Sequence, residues 1–369
     1  MQEFIKNRAR QEIFKLKPYT PGKPIEEVKR ELGLEDIIKL ASNENPLGPA
    51  PRAIEAISNM LSELHLYPDA NCFNLKKALS GFYDIPITDI LIGNGSDELL
   101  KLIAETFLSS GDQIIVGKPT FSEYEFAALI MGAECIEVPL KDFTHDLPAM
   151  LAAITPKTKI IVICNPNNPT GTIVNRTQIK EFMDKVPDDI LVIFDEAYYE
   201  YVENPDYNTG LEYLAQGRNI IVLRTFSKIY GLAALRVGYG LTSTEIAQAV
   251  ERVMEPFNVN TPAQIGALAA LQDKEHVQKS RELNSQGKQY LYNEFKRLGL
   301  TYVPTEANFI FMDTGADCRE VFNRLLKLGV IVRTGDIFGY PTFIRVTVGT
   351  EEENQRFIAS LEKVLKDLK

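Results

Sequence analysis

The sequence predicts an α/β protein: a mostly parallel central sheet flanked by helices, with a smaller α+β unit attached. Three observations carry this. Five short runs in the middle of the chain are apolar throughout rather than alternating, as strands buried on both faces require. Helical patterns separate these runs, which is the order of a parallel sheet. Beyond about Glu245 the pattern turns mostly helical and then returns to a mixed α+β order.

The elements follow along the chain. Residues 1–44 read as a polar helix, a Pro-rich turn over Pro18–Pro24, a second helix through Pro24–Leu32 and a short apolar piece at Ile37–Ala41. Asp89–Gly93 leads into a helix from Ser96 to about Leu108, and Gln113–Val116 leads into Phe121–Met131. Lys159–Cys164 leads into a helix near Thr177–Lys185, and Ile190–Phe194 and Asn219–Leu223 follow. The tail holds Ala307–Met312, a helix through Glu320–Leu328, Val330–Arg333, Phe343–Val348 and a last helix from Glu351. A chain of 369 residues suits two domains. The boundaries expected are 45–265 for the large one, and 1–44 plus 266–369 for the small one.

Composition narrows the function. The net charge of -10 argues against a nucleic-acid surface, which needs a basic excess. No apolar run reaches the ~18 residues of a membrane span, and charged Met1–Arg10 does not resemble a secretory signal. The four cysteines are scattered with no C-x-x-C pair, which fits buried thiols in a reducing, cytoplasmic compartment. The three histidines lie far apart, so no metal site is expected.

In an open parallel sheet, ligands bind beyond the carboxyl ends of the strands. Gly93–Glu98 is a glycine-rich turn opening a helix, where free N–H groups and the helix dipole favour a phosphate. Taken alone it also reads as a helix capped by Ser96. Asp195 ends an apolar run; it either caps a turn or pairs with a protonated ring nitrogen. Lys228 lies just past a strand end in an apolar segment. Desolvation and nearby cationic charge lower a lysine pKa and make its amine a nucleophile. Thr225, Ser227 and Arg236 supply donors that could share a phosphate with the Gly95 turn.

Three blocks occur in order: Asn165-Pro-Asn-Asn-Pro-Thr-Gly171, Asp195-Glu-Ala-Tyr198, and Ser227-Lys-x-x-Gly-Leu-x-x-x-Arg236-x-Gly238. Together they resemble the fold-type I pyridoxal 5'-phosphate (PLP) enzymes of the class I/II aminotransferase family, over essentially the whole chain. The resemblance implies that Lys228 carries the cofactor as a Schiff base and shuttles the substrate proton. Asp195 then pairs with the pyridinium nitrogen, and Asn168 and Tyr198 donate to the phenolate oxygen. Phe121 stacks on the ring. Gly95, Ser96, Asp97, Thr225, Ser227 and Arg236 hold the phosphate. Tyr67 reaches the phosphate of a neighbouring subunit, which implies a homodimer with shared sites. Arg345 binds the substrate carboxylate.

Pro18–Pro24 and Leu40–Gly48 resemble the N-terminus of the histidinol-phosphate branch of this family. That resemblance places Tyr19 and Asn45 near the substrate and gives Arg333 the substrate phosphate. The implied reaction is amino transfer from glutamate to imidazole-acetol phosphate, giving histidinol phosphate and 2-oxoglutarate. An aromatic amino-acid aminotransferase and a threonine-phosphate decarboxylase share these motifs and stay open as alternatives. A non-catalytic PLP-binding regulatory module is disfavoured by the full ligand set and the absence of a basic DNA-binding domain. A nicotinamide oxidoreductase is disfavoured because Glu98 stands where its glycine motif needs a third glycine.

Overall fold

The computed structural model describes residues 2–16 and 22–368. A two-residue strand β1 (Ile38–Lys39) precedes the main sheet. That sheet contains β2 (Ile90–Gly93), β3 (Gln113–Lys118), β4 (Glu134–Pro139), β5 (Thr158–Cys164), β6 (Leu191–Asp195), β7 (Ile220–Thr225) and β8 (Gly238–Thr242). Their spatial order is β2-β8-β7-β6-β5-β3-β4. Only β8 runs against its neighbours; the β7-β6-β5-β3-β4 pairings are parallel.

The uninterrupted apolar runs have a direct structural cause. Alternate residues of the same strand feed two separate cores. Ile161, Ile163, Val192 and Phe194 pack into one, while Ile160, Val162, Leu191 and Ile193 pack into the other. Both faces are covered, so no polar alternation survives. The five runs read from the sequence are all strands here.

Two strands lack that signature. β4 is an edge strand whose Glu134 and Glu137 are exposed, so it carries no apolar run. β8 reads Gly-Tyr-Gly-Leu-Thr, and its glycines answer to packing rather than to strand propensity. A Cβ on Gly238 would stand 2.6 Å from the Ser96 nitrogen. Only glycine lets β8 lie this close to the turn that opens the Ser96–Phe107 helix.

The C-terminal part forms a second, antiparallel sheet: β9 (Thr301–Val303), β10 (Phe309–Asp313), then, beyond the two-residue β11 (Val330–Ile331), β12 (Arg333–Thr334) and β13 (Phe343–Thr347), in the order β12-β13-β10-β9. Its core joins Ile310, Met312, Ile344 and Val346 to Phe357 and Leu361 of the last helix, Glu351–Leu368. The long helix Lys274–Leu298 links the two halves of the molecule. Val277, near its start, packs on the first core, and Leu291 and Phe295 enter the C-terminal one.

The N-terminal segment divides between the two sheets. β1 pairs in parallel with β11. The Leu40 N–H donates to Ile331 O at 2.7 Å, and the Thr347 N–H donates to Leu40 O at 2.8 Å. Residues 38–39 therefore form a separate two-stranded sheet with β11, and Leu40 ties it to β13 of the C-terminal sheet. Gln11–Lys15 instead lies against the Glu123–Ile130 helix of the main sheet, with Arg10 donating to Ile130 O.

Candidate active site

Cys164 of β5 pairs in register with Asp195 of β6, and Asp195 with Leu223 of β7. The three strands therefore end side by side. The loops that leave them, the turn after β2, and β12 and β13 enclose one cleft of about 1070 Å³. It lies where the strand-end rule places it.

Asp195 is the last residue of β6 and is 3% exposed. Tyr124 donates its hydroxyl to one carboxylate oxygen at 2.6 Å, and the Ala197 N–H donates to the other at 3.1 Å. Burial pushes the carboxyl up to about 6, against the lowering effect of these two donors. An adjacent cation stabilises a carboxylate so desolvated. Phe121 stands edge-on to Tyr124, with ring centroids 5.7 Å apart, and lines the cleft.

Lys228 sits on the turn after β7. Its amine lies 3.4 Å from the Ser42 carbonyl and 5.8 Å from the centre of the Tyr198 ring. Burial first, and then the charge of Arg345, push it down to about 8. Tyr198 is buried, and burial holds its phenol above the ordinary value. Its oxygen accepts from the Asn43 amide at 2.8 Å. The Asn168 side-chain oxygen accepts from Arg345, which leaves the Asn168 NH2 as the group able to donate into the cleft.

An anion cradle faces this group. Gly95 caps the Ser96–Phe107 helix with φ 82°, and no side chain caps that terminus. Ser96 is the first helical residue, so the capping role read from the sequence falls to Gly95 instead. A Cβ on Gly95 would meet Arg236 Nη2 at 2.6 Å. Arg236 bonds Asp97 at 3.1 Å and the Ser227 hydroxyl at 3.3 Å, and the Thr225 hydroxyl accepts the Ser227 N–H at 3.0 Å. Arg236 itself has φ 54°, a left-handed conformation that costs a non-glycine residue energy.

The opposite wall carries two arginines. Arg333 of β12 and Arg345 of β13 are direct partners in the strand register, and both line the cleft. Cross-strand partners project from the same face with Cβ atoms roughly 4.5–5.5 Å apart. Arg345 is buried and also donates to the Ala41 carbonyl at 2.8 Å.

Twelve of the residues singled out from sequence thus line one cleft, with Gly95 immediately behind the cradle. Three do not. Asn45 is turned away from it. Its NH2 donates to Ile229 O at 2.7 Å and to the Ser280 hydroxyl at 2.8 Å, while its oxygen accepts the Leu47 N–H at 3.0 Å. Those bonds pin the N-terminal segment to the turn that carries Lys228 and leave the amide nothing for a substrate. Tyr67 lies outside the cleft, 83% exposed and stacked on Phe257. Tyr19 lies outside the described residues. Sequence reasoning missed Tyr124 and Asn43. Tyr124 follows Phe121 closely in the segment after β3, but neither it nor Asn43 carried a signal that pointed to the site. Among the described residues no cluster of metal-ligating side chains occurs, and all four cysteines are free.

The fold and this set of side chains define a class. Residues 35–361 match the family described as aminotransferase class I and II, and the chain belongs to that family. More particularly, it is 58% identical to histidinol-phosphate aminotransferase of Moorella thermoacetica, over 97% of this chain and 93% of that protein. It is 49% identical to histidinol-phosphate aminotransferase of Caldicellulosiruptor saccharolyticus, over 96% and 99%. Among solved structures it superposes on histidinol-phosphate aminotransferase from Sinorhizobium meliloti in complex with pyridoxal-5'-phosphate. The TM-score there is 0.91 at 27% identity, covering 98% of each chain.

Proposed function

We propose that this chain is a PLP-dependent aminotransferase that moves an amino group between glutamate and imidazole-acetol phosphate, giving histidinol phosphate and 2-oxoglutarate in histidine biosynthesis. One observation carries the substrate assignment: Arg333 and Arg345 stand opposite each other on the wall of the cleft that holds Lys228 and Asp195. Two adjacent cations suit an enzyme whose substrates alternate between a dicarboxylate and a phosphate ester.

The side chains present fit the cofactor. A desolvated carboxylate at Asp195 suits a protonated ring nitrogen, and the uncapped helix with Thr225, Ser227 and Arg236 suits a phosphate. Phe121 would cover the ring face, Asn168 and Tyr198 would donate to the phenolate oxygen, and Ser96 and Asp97 would offer N–H groups to the phosphate. When bound, the cofactor supplies an electron-accepting ring for charge developing at the substrate Cα. Lys228 would hold it through its amine. When free, the same amine would serve as the base that takes up and returns the substrate Cα proton, and its lowering by burial and by Arg345 favours that role. Arg345 binds the substrate carboxylate as a two-pronged donor, and Arg333 takes the substrate phosphate.

A homodimer with shared sites belongs to the same reading. Tyr67 is exposed among Leu64, Leu66 and Phe73, each more than half exposed. An apolar patch of this kind calls for a covering surface, and it would carry Tyr67 to the cofactor phosphate of a second copy. The domains are assigned as 45–265, and 1–44 with 266–369. The net charge of -10 accords with no nucleic-acid partner, and four free cysteines accord with a cytoplasmic place. Among the described residues no helix is long and apolar enough to cross a membrane.

The test is Arg333→Ala. Losing a charged hydrogen bond to phosphate removes roughly 1.5–3 kcal/mol, so KM for histidinol phosphate should rise about 10–100-fold. KM for glutamate should rise less, since its side-chain carboxylate offers Arg333 fewer charged oxygens than a phosphate does. Equal losses with both substrates would remove the phosphate role. Faster turnover of phenylalanine than of histidinol phosphate by the unaltered enzyme would make it an aromatic aminotransferase.

A further inference from the structure

We infer that Asn43 is a positioning residue: it aims the hydroxyl proton of Tyr198 into the cleft and so tunes how tightly the cofactor-bound nitrogen of Lys228 holds its proton. The inference rests on the cofactor reading above. Its basis is a hydrogen-bond network whose polarity leaves one arrangement. The Asn43 N–H donates to the Thr347 hydroxyl oxygen at 3.0 Å. That hydroxyl donates in turn to the Asn43 side-chain oxygen at 3.3 Å. The amide oxygen is therefore turned to Thr347, and the NH2 is the end facing Tyr198, 2.8 Å away. An NH2 can only donate, so the phenol oxygen must accept. The phenol has one proton, and it must point elsewhere. Tyr198 lines the cleft, and its ring lies under the Lys228 amine. A phenol that accepts one hydrogen bond is also polarised into a better donor.

Asn43 is held from several sides. It is 2% exposed, and its own carbonyl accepts from the Asn308 NH2 at 3.0 Å. The preceding carbonyl, Ser42 O, is the one that meets Lys228. Its φ of 57° lies in the left-handed region, which asparagine and aspartate tolerate better than other side chains. Thr347 belongs to β13, the strand that also carries Arg345. The C-terminal sheet thereby sets the polarity of a donor on the loop that follows β6 of the main sheet.

The experiment follows the visible absorbance of the PLP-loaded protein against pH. A hydrogen bond donated to the phenolate oxygen withdraws charge from the neighbouring nitrogen, so losing it raises the midpoint. Asn43→Asp keeps the shape and the backbone tolerance but replaces the donor with an acceptor that captures the Tyr198 proton. The midpoint should rise by about one unit or more, as in Tyr198→Phe. Added to Tyr198→Phe, it should shift nothing further. Thr347→Val, which frees the amide to turn, should produce a smaller rise and serves if Asn43→Asp does not fold. An unmoved midpoint overturns the inference. So does an equal shift on the Tyr198→Phe background, because charge alone would then explain it. An unaltered protein that gains no visible band with PLP overturns the cofactor reading instead.

Discussion

Lys228→Ala should reduce turnover by at least about 10³-fold and abolish the visible band of the PLP-loaded protein. The size follows from two duties resting on one amine, holding the cofactor and moving the Cα proton. No other lysine among the described residues lines the cleft except Lys15 and Lys118, and Lys118 is paired with Glu125 and Glu137. Lys228→Arg is the sharper control, because it keeps the positive charge but cannot give up its proton near neutral pH. It should be as inactive as the alanine variant. Single-turnover measurements with glutamate would check this, and activity within tenfold of the unaltered enzyme in either variant would refute the role.

Asp195→Ala should slow the proton-transfer step by roughly 10²–10³-fold and weaken PLP binding. Breaking one side of a buried ion pair costs roughly 3–5 kcal/mol. The same residue predicts an effect of the opposite sign on the cofactor-free protein. The carboxyl is raised to about 6, so its contribution to the fold is complete below the ordinary carboxylate value and is lost as pH rises through about 6. Lys228 is lowered to about 8, so its contribution is complete above the ordinary lysine value and is lost as pH falls through about 8. Between pH 6 and 8 the empty cleft therefore carries two charges that its burial disfavours. The cofactor relieves both, giving Asp195 a cation and taking up the amine. Asp195→Asn should accordingly leave the cofactor-free protein as stable at pH 7.5, or more stable by at most roughly 2–3 kcal/mol, while affinity for PLP falls. Thermal melts with and without PLP check this; a clear loss of stability without PLP would show that the carboxylate is structural.

The legible parts of this protein share a property: their signals are local. β5, β6 and β7 each declare themselves within a few residues, because burial on both faces leaves an unbroken apolar run. The residue after such a run must sit at a strand end, and strand ends of parallel sheets face the ligand. Asp195, Thr225 and Lys228 were found that way. β4 escaped because an edge strand needs no such run, and β8 because its glycines answer to the turn at Gly95 rather than to the sheet.

The contacts between these parts were not legible. Tyr124 meets Asp195 from 71 residues away, and Asn43 meets Tyr198 from 155 residues away. Asn43 and Asn45 stand two positions apart in one motif, and the sequence offers no reason to choose between them. Packing chose: Asn45 was drawn into bonds with Ile229 and Ser280, and Asn43 was turned to the cleft. The pairing of Arg333 with Arg345 is likewise a matter of strand register. By itself the sequence determined five of the seven strands of the main sheet, the chemistry at their ends and the family, because periodicity and motif spacing are properties of neighbouring residues. Which polar groups face one another, and with which end, only the tertiary structure decided, since a buried donor finds its acceptor through the packing of distant segments rather than through its neighbours in the chain.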